Sequence, residues 1–322
     1  GCTYATSLLK LVLLGALDGA TREAPCATLR CVVNDIAVQA TGQFEHACEQ
    51  VQRAATFIGR GLLPTGMRLL REKCVVISSQ RRATLEVARS LRRKGIEVVP
   101  AFHTKYLGMD TSGGRAHRRQ VQRKRVLKVE RRKWRVGKLK RGGSAVKIGT
   151  AGLLPAMAYG ASVFGVPEGF FARMRKAARM VTHTSVRGAS LTLDLELAIL
   201  KRGGLDPAYF ADKAIIGAWS RAVFGARLSR DHIASALVSQ QDRVTQWARV
   251  KGPAGALLLT ARRLDWVVLS ASRLWMDDGR ILDLEVTPPK VVERFVDDAT
   301  QRGLHRAVAK GLGDDSLAPV MN

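Results

Sequence analysis

Asn34 and Asp35 stand between two short runs of β-favouring residues, Leu29-Arg30-Cys31-Val32-Val33 and Ile36-Ala37-Val38-Gln39. Two such runs joined at a polar pair predict a β-hairpin with Asn34 and Asp35 together at its tip. Carboxylates displayed there can ligate Mg²⁺, a hard cation that takes oxygen ligands and neutralises charge on the attacking and leaving oxygens of phosphoryl transfer. Holding two dications side by side needs more than one carboxylate. Asp35 alone supplies a charge, while Asn34 offers a neutral amide oxygen. Asn-Asp is also ordinary turn chemistry, and that is the competing expectation.

The elements around the hairpin give it a setting. Leu8 to Leu17 predicts a helix ahead of it. Phe44 to Leu63 predicts an amphipathic helix after it, followed by a strand at Cys74-Val75-Val76-Ile77, a helix from Arg82 to Lys94 and a strand at Ile96-Glu97-Val98-Val99. This order resembles the palm of a reverse transcriptase of the non-LTR retrotransposon type. Residues Gly1 to Leu9 resemble the tail of that family's Gln-Gly motif, and Val32-Val33-Asn34-Asp35 falls where the family has Tyr/Phe-x-Asp-Asp. Glu72-Lys73-Cys74 is similar to its Lys-bearing motif, and Lys105-Tyr106-Leu107-Gly108 to its primer grip.

The resemblance implies an α+β fold. Residues 1–110 would be a partial palm, with the β-hairpin and strands packed on helices, and a mostly helical, strongly basic thumb and connector would follow. It implies RNA-directed DNA synthesis by the intact parent, a nucleotidyltransferase using Mg²⁺, an RNA template, a DNA primer and deoxynucleotides. Asp35 would be a metal ligand beside Asn34 at the catalytic tip. Lys73 would lie near the incoming nucleotide's phosphates, and Lys105, Tyr106, Leu107 and Gly108 against the primer strand. The family's first catalytic Asp would fall upstream of Gly1, and Asn34 replaces one of its paired Asp residues. The expectation is therefore a fragment that does not polymerise alone.

Charge points to the same class of partner. The 322 residues carry a formal net charge of +26, which calls for a polyanion. Positive charge is densest from Arg115 to Lys147. Arg118, Arg119, Arg123, Lys124, Arg125, Lys128, Arg131, Arg132 and Lys133 lie there, with Glu130 the single acid of the stretch. Its apolar residues scatter around a helical projection, so the expectation is a solvated nucleic-acid-binding helix rather than a core element. Gly113-Gly114 and Gly142-Gly143 predict hinges at its ends. These features delimit a basic helical region over 111–185 and a helical C-terminal region over 186–322.

In the later part of the chain, Leu153 to Ala161 resembles the Leu-x-x-x-x-Tyr-Gly segment that follows the primer grip. Phe170 to Thr182 predicts an amphipathic helix. Asp206-Pro207 predicts a capped helix start and Thr287-Pro288-Pro289 a last helix. Trp275-Met276-Asp277-Asp278 has the form of an aromatic-x-Asp-Asp box, yet Asp278-Gly279 predicts a structural turn. The uncharged stretch Ile148 to Pro167 predicts a buried helix and is too polar for a bilayer span. Cys2, Cys26, Cys31, Cys48 and Cys74 form no Cys-x-x-Cys pair, and the histidines are scattered, so no zinc site is expected. With no signal peptide or transmembrane segment evident, the sequence predicts an intracellular, nuclear protein with no membrane partner. A second expectation is a non-catalytic RNA- or DNA-binding protein that keeps the palm as scaffold, and a third is a basic structural protein of a ribonucleoprotein particle.

Overall fold

The computed structural model describes residues 3–33, 35–113, 119–139, 144–180, 190–197, 206–226 and 228–313. These form a mixed α+β protein with small sheets, divided into two compact units, Gly1–Arg118 and Arg119–Asn322. No helix among the described residues is long and apolar enough to cross a membrane.

The first unit opens with α1 (Thr3–Glu23), the antiparallel pair β1 (Ala27–Val32) and β2 (Asp35–Ala40), and α2 (Phe44–Leu62). Pairing runs from Ala27↔Ala40 to Val32↔Asp35. This register corrects the expected turn. The connection begins at Val33, and Asp35 is already the first residue of β2. A two-residue hairpin loop needs positive φ, and Val33 takes it at φ 58.

The helix α2 has two buried sides. Ala54, Ile58 and Leu62 pack with Leu13, Ala20 and Ala24 of the first helical segment and with Leu29, Ile36 and Val38 of the hairpin. Gly19 permits this approach, because a Cβ there would lie 2.2 Å from the Phe57 ring. On its other side Cys48, Val51 and Ala55 meet Ala83, Val87, Ala88 and Leu91 of α3 (Arg81–Arg93). This last helix is the crossover between the parallel strands β3 (Val75–Val76) and β4 (Val99–Pro100). A second hairpin, β5 (His103–Tyr106) and β6 (Met109–Ser112), turns at Leu107 and Gly108 with φ 46 and 78.

The second unit begins with α4 (Gln120–Gly137). The expected buried helix over 148–167 is instead broken into α5 (Ser144–Ile148), a π-helical turn (Gly149–Leu153), α6 (Leu154–Ala158) and α7 (Ala161–Phe164). Pro155 near the start of α6 and Gly160 and Gly165 at φ 86 and 62 account for the breaks. Then come α8 (Glu168–Arg179), α9 (Leu191–Leu197), α10 (Pro207–Phe224), α11 (Arg230–Gln241) and α12 (Pro253–Arg263). The meander β7 (Val267–Val268), β8 (Arg273–Trp275) and β9 (Ile281–Asp283) leads to α13 (Pro289–Gly313). Asp206 caps α10 by accepting from Ala208 N at 2.9 Å.

The helix α4 corrects a second expectation. Val126, Val129 and Val136 are buried in one core with Met157, Met174, Ala177, Ala178 and Ala211. Positions 122, 126, 129 and 136 fall on one side of a 3.6-residue helix, so the apolar stripe exists. It is narrow because valines alone build it between long cations.

Candidate functional site

In the first unit, the charge of Asp35 on one hairpin is felt at Tyr106 on the other. Asp35 lies near enough to Tyr106 that its carboxylate, together with the larger effect of burial, raises the phenol's pKa above its ordinary value, while Arg30 opposes the shift. The Tyr106 hydroxyl is buried and has no hydrogen-bond partner among the described residues. Both hairpins also turn at a large apolar residue in the left-handed region, Val33 and Leu107. Such residues are rarely found there, and strain of this kind collects at functional sites. On the second hairpin, His103 Nε2 lies 3.5 Å from Asp110 Oδ1, and Asp110 is buried.

Of the other expected site residues here, Asn34 lies outside the described residues. Lys73 is exposed on the turn ahead of β3 and makes no ion pair among the described residues, and Lys105 is exposed on β5. Gly108 closes the Leu107-Gly108 turn. No group of three or more His, Cys, Asp or Glu side chains that could hold a metal occurs among the described residues.

The second unit carries the cationic helix. Arg123, Lys124, Lys128, Arg131, Arg132 and Arg135 are exposed or half-exposed along α4 and make no ion pair among the described residues. They span about half of the helix circumference, opposite the buried valines. Trp134 lies on the same side and is 65% exposed. Two other expected contacts are structural. Arg119 stacks over the Trp247 ring at 5.6 Å and donates to the Trp247 carbonyl at 2.7 Å, and Arg125 stacks over Tyr159 at 4.2 Å. Arg118 and the Lys133 side chain lie outside the described residues. Glu130, the one acid on the helix, is engaged by Arg173.

The Asp277-Asp278 pair has no open ligand face. Asp277 accepts from Arg302 Nε at 2.8 Å, Arg302 Nη2 at 2.7 Å and Trp266 Nε1 at 2.9 Å, and these partners hold its carboxyl below the ordinary range. Asp278 is held by Arg280 Nη2 at 2.6 Å, with the same direction of shift. The turn expected from Asp278-Gly279 is present, with Gly279 at φ 84.

Sequence reasoning missed three features. The influence of the Asp35 charge on Tyr106 is tertiary and left no local signal. The valine stripe of α4 was hidden by the charges around it. The third, the arginines of α3, was legible as Arg81-Arg82, Arg89 and Arg92-Arg93 facing the single acid Glu86. Compared with protein-family models, curated proteins and solved structures, the chain matches none.

Proposed function

We propose that this chain is part of a reverse transcriptase of the non-LTR retrotransposon type, a palm segment followed by basic thumb and connector helices, and that it binds nucleic acid without polymerising alone. The observation that carries the reading is that two hairpins of the first unit each turn at a strained apolar residue, Val33 in one and Leu107 in the other. In the resemblance these are the catalytic tip and the primer grip, which must act on the same primer end. The order helix, hairpin, helix, strand, helix, strand, hairpin in the first unit agrees with it. The cations of α4 supply a surface for a template–primer backbone.

Mg²⁺ belongs in this reading to the intact enzyme, where it would neutralise charge in phosphoryl transfer. The single charge of Asp35 favours the second reading equally at this site: a palm-derived scaffold that binds RNA or DNA and performs no chemistry. A nuclear location is part of the proposal in either form.

The test is anisotropy of labelled RNA and RNA–DNA hybrid over a salt series. With six to ten phosphates neutralised, log affinity should fall against log salt with a slope on the order of −5 to −9. A salt-independent affinity would overturn the reading. Primer extension on RNA is expected to yield no product, and measurable synthesis would mean a catalytic site built from other residues.

A further inference from the structure

We infer that α3 is a second phosphate-binding surface, in the first unit, that engages the backbone of a nucleic-acid strand independently of α4. It rests on the nucleic-acid reading above and extends it to a helix that the sequence analysis treated as ordinary.

Arg81, Leu85, Arg89 and Arg93 recur every four residues and so form one ridge, with about 6 Å between successive positions. With Arg82 and Glu86 they line a shallow surface cleft. Arg92 and Lys94 add exposed charge at the C-terminal end. Two acids near this surface already have cationic neighbours: Glu86 lies 3.9 Å from Arg82, and Glu97 lies 3.2 Å from Arg71.

Arg92 and Arg93 suit the C-terminal end of the helix dipole, but two other features are unfavourable for the helix by itself. Arg81 and Arg82 occupy the first turn, which contains no acid, and cations there oppose the helix dipole. Arg89 and Arg93 form a like-charge pair at i, i+4. A bound polyanion relieves both repulsions. The ridge is also held in place before any ligand arrives. Leu91 and Val87 are buried beneath it, and Ser90 donates to Gln52 Oε1 of α2 at 2.6 Å. Arg81 stacks at 5.7 Å over Phe102, itself 47% exposed, and Arg82 at 5.3 Å over Phe44. Arginines backed by an exposed aromatic beside a cleft match a strand that offers both phosphates and base faces. Lipid headgroups offer charge without the stacking partner.

The experiment uses the full chain and an Arg89→Ala/Arg93→Ala variant, with Arg131→Ala/Arg132→Ala as the α4 reference and Arg89→Lys/Arg93→Lys to restore charge. Circular dichroism confirms that each is folded. Against a labelled single-stranded RNA, the α3 variant should bind about tenfold more weakly, with the salt slope reduced by about 1.4. The lysine variant should recover most of the affinity, and photo-crosslinking should place RNA on the peptide containing residues 81–93. Unchanged affinity and slope in the α3 variant, with a loss in the α4 reference, would overturn this inference and leave the nucleic-acid reading standing. No loss in either would overturn both. Loss of binding to phosphatidylserine vesicles without loss of RNA binding would assign the ridge to a membrane surface instead.

Discussion

Arg173 grips Glu130 with both prongs of its guanidinium, Nε to Oε1 at 2.8 Å and Nη2 to Oε2 at 2.6 Å. The pair ties α8 to α4 and turns the helix's one carboxylate toward its own protein. The hydrogen bond to Glu130 raises the Arg173 pKa, so the guanidinium keeps its charge. The outer side of α4 is thereby left without a free carboxylate among its cations. A double-mutant cycle of Glu130→Gln and Arg173→Gln in urea should give a coupling of about 1 kcal/mol, at the upper end for a partly exposed pair because it is bidentate. RNA affinity should hold or rise in Glu130→Gln. A fall would mean that Glu130 orients the binding surface.

Asp277 gives a pH signature of the opposite origin. Its folded carboxyl lies below the ordinary range because Arg302 and Trp266 donate to it. For an acid depressed on folding, the stabilisation is fully present above the unfolded value and is lost as pH falls through the folded one. The urea midpoint should therefore drop below about pH 4 in the native chain and drop less steeply in Asp277→Asn. That variant should also cost about 1–2 kcal/mol at neutral pH, because a neutral amide cannot accept from both Arg302 nitrogens and Trp266 as the carboxylate does. Titration calorimetry should show unchanged Mg²⁺ binding, since Arg302 and Trp266 already donate to this carboxylate.

Val33 stores strain at the first hairpin. A β-branched residue at φ 58 costs roughly 1–3 kcal/mol, and the side chain is 45% exposed, so little burial offsets it. Val33→Gly should raise the stability of the first unit by about 1 kcal/mol after the entropy cost of glycine. A destabilised variant would show that Val33 packs usefully at the tip.

Gly113 is fixed by space rather than by φ. A Cβ there would lie 1.8 Å from the Ser78 carbonyl oxygen, and Gly113 N donates to Phe102 O at 3.1 Å. Gly113→Ala must move backbone against backbone and should cost about 2–3 kcal/mol in thermal or urea unfolding. The residue expected as a hinge is therefore a close contact, while its neighbour Gly114 lies outside the described residues. A neutral substitution would mean that this contact yields freely.

Asn34→Asp tests the tip directly. A second carboxylate beside Asp35 should tighten Mn²⁺ or Mg²⁺ binding in calorimetry, with Asp35→Ala as the reference that abolishes it. Unchanged affinity would make Asn34-Asp35 turn chemistry alone. Synthesis should not return with this single change.

The sequence alone determined the elements whose signal is local. Asp206-Pro207 starts α10 because a carboxylate can cap the free amide of Ala208, and Pro253 at the first helical position starts α12 with no side-chain cap. Hydrophobic period marked α2 and α3, and the β-runs marked the first hairpin. Only the tertiary structure decided what depends on partners distant in sequence. The register made Asp35 a strand residue because Val32 gains a ladder partner in it. Packing against Met157 and Met174 turned three valines of a charge-dominated helix into core. Arg302 arrives from α13 to occupy Asp277, and the charge of Asp35 comes to act on Tyr106. Side-chain pattern along the chain encodes which face of an element is buried, whereas a site is a convergence of several elements. That convergence is fixed by the packing of cores whose members lie far apart in the chain.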